Sequence, residues 1–197
     1  MPHTSLHDAK TVEDVHRALQ GGADVNAQAE HGLTALMICA FRRGWGEHGA
    51  GMMRLLIEAG AAVDVQDEHG LTALMRSALH GGEHAEAKMR LLIEAGADVD
   101  KKDERGFTAL MLSARHGGEH AAGMMRLLLQ HGGHVAANKQ DESGTTALMW
   151  AARIGGEHAE AMMRLLLSAG ADPNKQQKDG TTALMFAAEF GREHAAG

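Results

Sequence analysis

The residues best suited to chemistry are five Glu-His pairs: Glu47-His48, Glu83-His84, Glu119-His120, Glu157-His158 and Glu193-His194. Three readings compete for them. The structural one puts each Glu in the first turn of a helix, where the macrodipole favours a carboxylate, and lets the His finish the joint before it. The second is a pH-sensitive edge, formed by His48, His84, His120, His158 and His194, that gathers charge in acid. The third is metal ligation. Two stretches, His80-Gly81-Gly82-Glu83-His84 and His116-Gly117-Gly118-Glu119-His120, also match the H-x-x-E-H form of some zinc peptidases. That chemistry needs both histidines on one face of a continuous helix, and paired glycines oppose it. Gly44-Trp45-Gly46-Glu47-His48-Gly49 matches G-x-G-x-x-G, but it follows a helical pattern where a dinucleotide site needs a strand. The single cysteine, Cys39, lies in the apolar run Leu36–Phe41, which predicts a buried, inert thiol.

The elements that would position these groups come from a phrase written five times: GLTALMICA from Gly32, GLTALMRSA from Gly70, GFTALMLSA from Gly106, GTTALMWAA from Gly144 and GTTALMFAA from Gly180. The starting glycines are 38, 36, 38 and 36 residues apart, a period that means stacked units. Each unit reads alike. A Thr opens a first helix, a glycine-rich joint follows, then an amphipathic second helix such as 157–168, then Gly-Ala-Asp and a polar turn. A short N-terminal unit covers 1–31, with Thr11 capping a helix over 12–19. Full units follow at 32–69, 70–105, 106–143 and 144–179, and 180–197 is an incomplete C-terminal unit.

Gly144…Thr146-Ala147-Leu148-Met149…Ala152, then Leu165-Leu166-Leu167, then Gly170-Ala171-Asp172-Pro173-Asn174, resembles the ankyrin repeat, and the likeness recurs along essentially the whole chain. The resemblance implies an all-α solenoid of helix-turn-helix units joined by β-turn or hairpin loops. Two departures stand out. Met37, Met75, Met111, Met149 and Met185 replace the family's usual His, exchanging a polar network for apolar fill. The units also run three to five residues longer than the usual 33. The extra residues lie around Gly-Gly-Glu-His and predict about one more turn on the second helix. Two further residues fall in the Arg43-Gly44-Trp45-Gly46 joint and in the Gly133-His134-Val135-Ala136 turn. Repeats of this kind lie roughly 10 Å apart, too far for one ion at ~2.0–2.2 Å from its ligands to bridge neighbouring rungs.

The resemblance also implies that the turns and first helices line a concave binding face. Contact candidates on it are His69, Arg76, Arg105, Leu112 and Trp150, with core an equal alternative for Trp150. In the methionine pairs Met52-Met53, Met124-Met125 and Met162-Met163, helical spacing predicts one side chain inward and one towards the surface. Arg54–Glu58 and Arg90–Glu94 are predicted i,i+4 pairs. The last unit has no Leu-Leu-Leu helix, which leaves a face formed by Ala183, Leu184, Phe186 and Phe190. A fragment of a longer protein, a tolerated frayed end, and cover by a second copy are the open readings of that face.

Composition narrows the rest. A net charge of −7, from 19 basic and 26 acidic residues, carries no nucleic-acid footprint. Protonating all 14 histidines would bring it to +7 (−7 + 14). No apolar run reaches ~18 residues and no signal peptide opens the chain, so neither membrane insertion nor export is expected and an intracellular location is the default. No cofactor, no metal and no catalysis are expected. The leading expectation is a scaffold for another protein. The alternative is a protomer that joins further copies head to tail into a filament, and a metal-dependent enzyme is a distant third.

Overall fold

The computed structural model describes residues 5–42, 45–80, 82, 84–116 and 118–190. Among them are ten α-helices and no named strand: α1 Val12–Gln20, α2 Ala35–Phe41, α3 Gly46–Glu58, α4 Ala73–Leu79, α5 Ala85–Glu94, α6 Ala109–His116, α7 Ala121–Ala137, α8 Ala147–Ile154, α9 Gly156–Ser168 and α10 Ala183–Phe190. This is the all-α repeat solenoid that the phrase predicts. It divides into two compact units, 1–98 and 99–197.

The threonines act as expected. Thr34, Thr72, Thr108, Thr146 and Thr182 each accept the backbone N–H of the phrase Met three residues on, at 3.3–3.4 Å. That bond satisfies one of the orphan donors at a helix start. Thr11 makes a full capping box with Asp14 at the head of α1. Within the first unit α2 packs on α3 and α4, α4 on α5, and α3 on α1 and α5. Within the second, α6 packs on α7 and α8, α8 on α9 and α10, and α7 on α9. First helices therefore neighbour first helices, and second helices neighbour second helices.

The core between these layers is sulfur-rich. Met37, Met75, Met111 and Met149 are buried where the phrase repeats. Two of the methionine pairs depart from the sequence reading: Met52, Met53, Met124 and Met125 are all buried, while in the third Met162 is buried and Met163 half-buried, as expected. Successive helix positions lie 100° apart, and a second helix is covered by its own first helix and by the neighbouring second helices. In α3 and α7 both positions then face protein, leaving neither pair for a ligand. The predicted arginine pairs are corrected too. Arg90 reaches back to Glu86 at 3.2 Å and Arg164 to Glu160 at 2.6 Å, with the acid N-terminal to the base, the better orientation on a helix.

The third full unit also differs. Its second helix does not stop at Gly132 but runs on to Ala137. Gly60, Gly96 and Gly170, the equivalent glycines, take φ of +88°, +90° and +83° and end their helices. The two added residues are absorbed by a further helical turn that buries Ala136 and Ala137.

Cys39 is buried in α2, and desolvation pushes its thiol up from 9.0 to about 12. The unfolded thiol ionises near pH 9 while the folded one keeps its proton towards pH 12, so stability falls as pH rises through that window. We expect a loss of about 2 kcal/mol by pH 10.5. Urea melts of Cys39→Ala should lack this component of the alkaline slope. An unchanged slope would show that the thiol ionises in the folded protein.

Candidate functional site

The turns that precede the first helices are built around buried aspartates. Asp67 Oδ1 accepts the N–H groups of His69 and Leu71, Asp103 those of Arg105 and Phe107, and Asp141 those of Ser143 and Thr145, at 2.7–2.9 Å. Neighbouring turns within each unit are then tied by main-chain bonds: Glu68 N–H to His31 O, Glu142 N–H to Arg105 O and Lys178 N–H to Ser143 O, at 3.0–3.1 Å. This stitching gives the side chains at the turn tips and on the first helices a rigid base.

In the second unit that base carries an alternation of aromatic rings and guanidinium groups. The Phe107 and Trp150 rings lie 5.5 Å apart. The Arg115 guanidinium carbon sits 5.3 Å from the Phe107 centroid and 5.0 Å from that of Trp150. Arg153, one turn beyond Trp150 on α8, lies 5.4 Å from the indole, and Arg105 lies 5.6 Å from Phe107. Each such contact contributes about 0.5–1 kcal/mol at an exposed site. Among the described residues none of these three exposed arginines makes an ion pair.

Beside the stack is an open cleft of about 390 Å³, lined by Glu142, Ser143, Thr145, Trp150, Arg153, Gln177, Lys178 and Asp179. Gln177 is held by a 2.7 Å bond to the Thr145 hydroxyl. The Thr181 backbone N–H, with its hydroxyl, holds the Asp179 carboxyl below its ordinary value. The Trp150 indole N–H is buried and, among the described residues, has no acceptor within hydrogen-bond distance.

The five contact candidates thus separate. Arg105 is exposed and Trp150 half-buried in the cleft wall, and both belong to the stack. In the first unit His69 is exposed, 3.6 Å from Glu68. Arg76 is held by the buried Asp67 carboxylate through Nε at 2.8 Å and through its terminal nitrogen, with its guanidinium over Phe41. It is a structural tie more than a free contact. Leu112 must be withdrawn: it is 1% exposed, because its place on α6 turns it into the core. Arg115 and Arg153 were missed. The signal was present, since the position nine after each phrase glycine varies freely: Phe41, Leu79, Arg115, Arg153, Glu189.

The ankyrin-repeat model, described as "Ankyrin repeats (3 copies)", matches residues 5–103, 45–137, 82–177 and 121–196. The chain belongs to the ankyrin-repeat family. No curated protein sequence matches it. One solved structure similar to it is a chain from a complex of a predatory endopeptidase of Bdellovibrio bacteriovorus with an immunity protein. The TM-score is 0.75 at 27% identity, over 96% of this chain and 93% of that one.

Within this ankyrin-repeat chain the described histidines of the Glu-His pairs sit at the starts of second helices. His84 and His120 occupy the N-cap positions of α5 and α7, without a side-chain cap bond. His48 and His158 lie in the first turns of α3 and α9. His194 lies outside the described residues, as do Glu83 and Glu193. Glu47 and His84 line one shallow cleft with Arg54. Among the described residues no three of His, Cys, Asp and Glu converge as a metal site would require. In both H-x-x-E-H matches a helix ends at or before the first His and the next begins after the second. The two imidazoles therefore lack the shared helix that a zincin-type site uses. No described helix is long and apolar enough to cross a membrane.

On α10 the expected self-assembly face is redrawn. Ala183 is buried, because this side of the helix packs on α8. Phe186 and Phe190 are half-buried and stack on each other at 6.4 Å. The exposed apolar side chains are Leu184, at 76%, and Met185, at 56%.

Proposed function

We propose that this chain is a non-enzymatic binding protein whose turn and first-helix surface engages another protein. The observation that carries the reading is a stack in which the exposed Arg115 and Arg153 lie over the half-buried Trp150 and, for Arg115, the buried Phe107, on a hydrogen-bonded scaffold. The few residues that dominate binding energy at protein interfaces are enriched in tryptophan and arginine, and a rigid base lowers the entropy cost of ordering them. Ankyrin repeats generally mediate protein–protein interaction. The similar chain comes from a complex of an endopeptidase with an immunity protein, so a peptidase is the partner class to test first.

The test is site-specific photo-crosslinking in cells of the source organism. A crosslinker at Arg105 or Arg153, on the proposed face, should give a discrete adduct. One at Arg126 or Arg164, on second helices, should not. Adducts confined to the second helices, or none at any position, would overturn the reading. With the captured partner purified, Trp150→Ala should weaken binding about tenfold or more.

Self-association through α10 is a second reading, favoured by the exposure of Leu184 and Met185. It expects a mass that grows with concentration and reverts with Leu184→Glu. A constant mass of 20.9 kDa in sedimentation would end it.

A further inference from the structure

We infer that the arginine–aromatic stack of the second unit is a receptor for carboxylates, and that the partner docks there with an acidic segment. This rests on the protein-binding reading above and names the chemistry of the contact. Three exposed guanidinium groups, Arg105, Arg115 and Arg153, gather around two rings in a chain of net charge −7. Among the described residues these three make no ion pair, as Arg42, Arg54 and Arg126 make none, whereas Arg17, Arg76, Arg90 and Arg164 each pair with an acid. A guanidinium stacked on a ring uses its face and keeps its in-plane N–H fork for a carboxylate. The rings also hold the fork in place, so less side-chain freedom is lost on binding.

The cleft adds two constraints. Its wall continues the positive charge through Lys178 and supplies apolar surface from Trp150, which suits acidic side chains interleaved with apolar ones. It also carries two carboxylates, Glu142 and Asp179, the latter kept ionised by Thr181. These repel a continuous polyanion, while Arg105 and Arg115 lie outside the cleft lining. A discrete acidic peptide therefore fits better than a nucleic-acid backbone, whose affinity grows with the number of phosphates neutralised.

The test uses the full chain, labelled with nitrogen-15, and follows the Trp150 indole signal. The protein has two tryptophans, so Trp150→Phe assigns it. The probe is an acetylated decapeptide alternating Glu and Leu, and the control is its Gln-for-Glu counterpart. We expect a saturable shift with the Glu peptide and binding about tenfold weaker with the Gln peptide. Arg115→Gln and Arg153→Gln should each weaken the Glu peptide about fivefold, and Arg115→Lys, which keeps charge but loses stacking, by less. Arg126→Gln, on a second helix, should change nothing.

Equal binding of both peptides, no saturable shift, or an equal loss with Arg126→Gln would overturn the inference. Tighter binding of a single-stranded deoxyadenylate decamer, lost in Arg115→Gln, would also overturn it, in favour of nucleic acid. Adducts at Arg105 or Arg153 in the crosslinking experiment, together with failure of the Glu peptide, would sink the acidic-segment inference alone and leave the protein-binding reading standing.

Discussion

Replacing Gly106 by alanine should cost the protein about 3 kcal/mol, whereas the same change at Gly180 should cost about 1. Both glycines hold left-handed backbone, with φ of +80° and +86°, so the strain of adding a Cβ is shared. The surroundings are not. A Cβ on Gly106 would lie 3.0 Å from the Glu142 nitrogen and 3.1 Å from the Asp141 Cα, both backbone atoms that cannot rotate away. Relief requires the 141–142 turn to move, which lengthens the Glu142-to-Arg105 bond and disturbs the Asp141 clasp on Ser143 and Thr145. A Cβ on Gly180 meets nothing within 4 Å. Urea melts of the two variants decide the matter. Equal losses would show that left-handed strain is the whole cost and that close stacking of the turns adds nothing. Gly106→Ala should also displace Arg105 and Phe107, and so weaken the Glu peptide more than Gly180→Ala does.

Lys88→Ala should cost about 4 kcal/mol and Lys88→Met about 2, although a buried charge disappears in both. Lys88 stands in α5 where α3, α7 and α9 carry Met52, Met124 and Met162. It is 4% exposed, and its ammonium donates to the carbonyls of Cys39 at 2.9 Å, Ala40 at 3.3 Å and Arg42 at 3.0 Å. Those carbonyls end α2, where four oxygens have no partner inside the helix and the macrodipole favours a cation. Gly49 makes room for the reach: a Cβ there would lie 3.2 Å from the lysine Cε, and the other second helices have Ala85, Ala121 and Ala159 at this place. Methionine restores the volume but takes the donor from two buried carbonyls and one part-buried one, and alanine adds a cavity. Desolvation lowers the Lys88 pKa below 10.5, so just below pH 10.5 the unfolded chain holds more protons and this group alone makes stability rise with pH. That opposes the Cys39 effect, and Lys88→Met should steepen the alkaline loss. A Lys88→Met protein more stable than wild type at pH 7 would mean that burial of the ammonium outweighs its three bonds.

Much of this was legible because repetition turns local chemistry into a pattern. The Thr before each first helix, the Met three residues on and the glycine before each turn recur, and each has one structural use. The helices and their order follow from those positions alone. The expectations that failed were about direction. Leu112 was placed on the binding face through the family resemblance, yet its position on α6 turns it into the core. One methionine of each pair was expected towards the surface, yet in α3 and α7 both are buried because a second helix in a stack is covered on more than one side. Residues 133–136 were read as a turn, whereas the helix runs on to Ala137 and buries Ala136 and Ala137.

By itself, then, the sequence determined the repeat, its helix-capping chemistry and the family resemblance, because these depend on residues close together in the chain. Tertiary structure decided which variable residues meet. Arg105, Arg115, Trp150 and Arg153 come from three repeats, and their spacing of up to 48 residues carries no signal of contact. They form one stack because main-chain bonds between neighbouring turns bring equivalent positions side by side, and only that registry places rings between guanidinium groups.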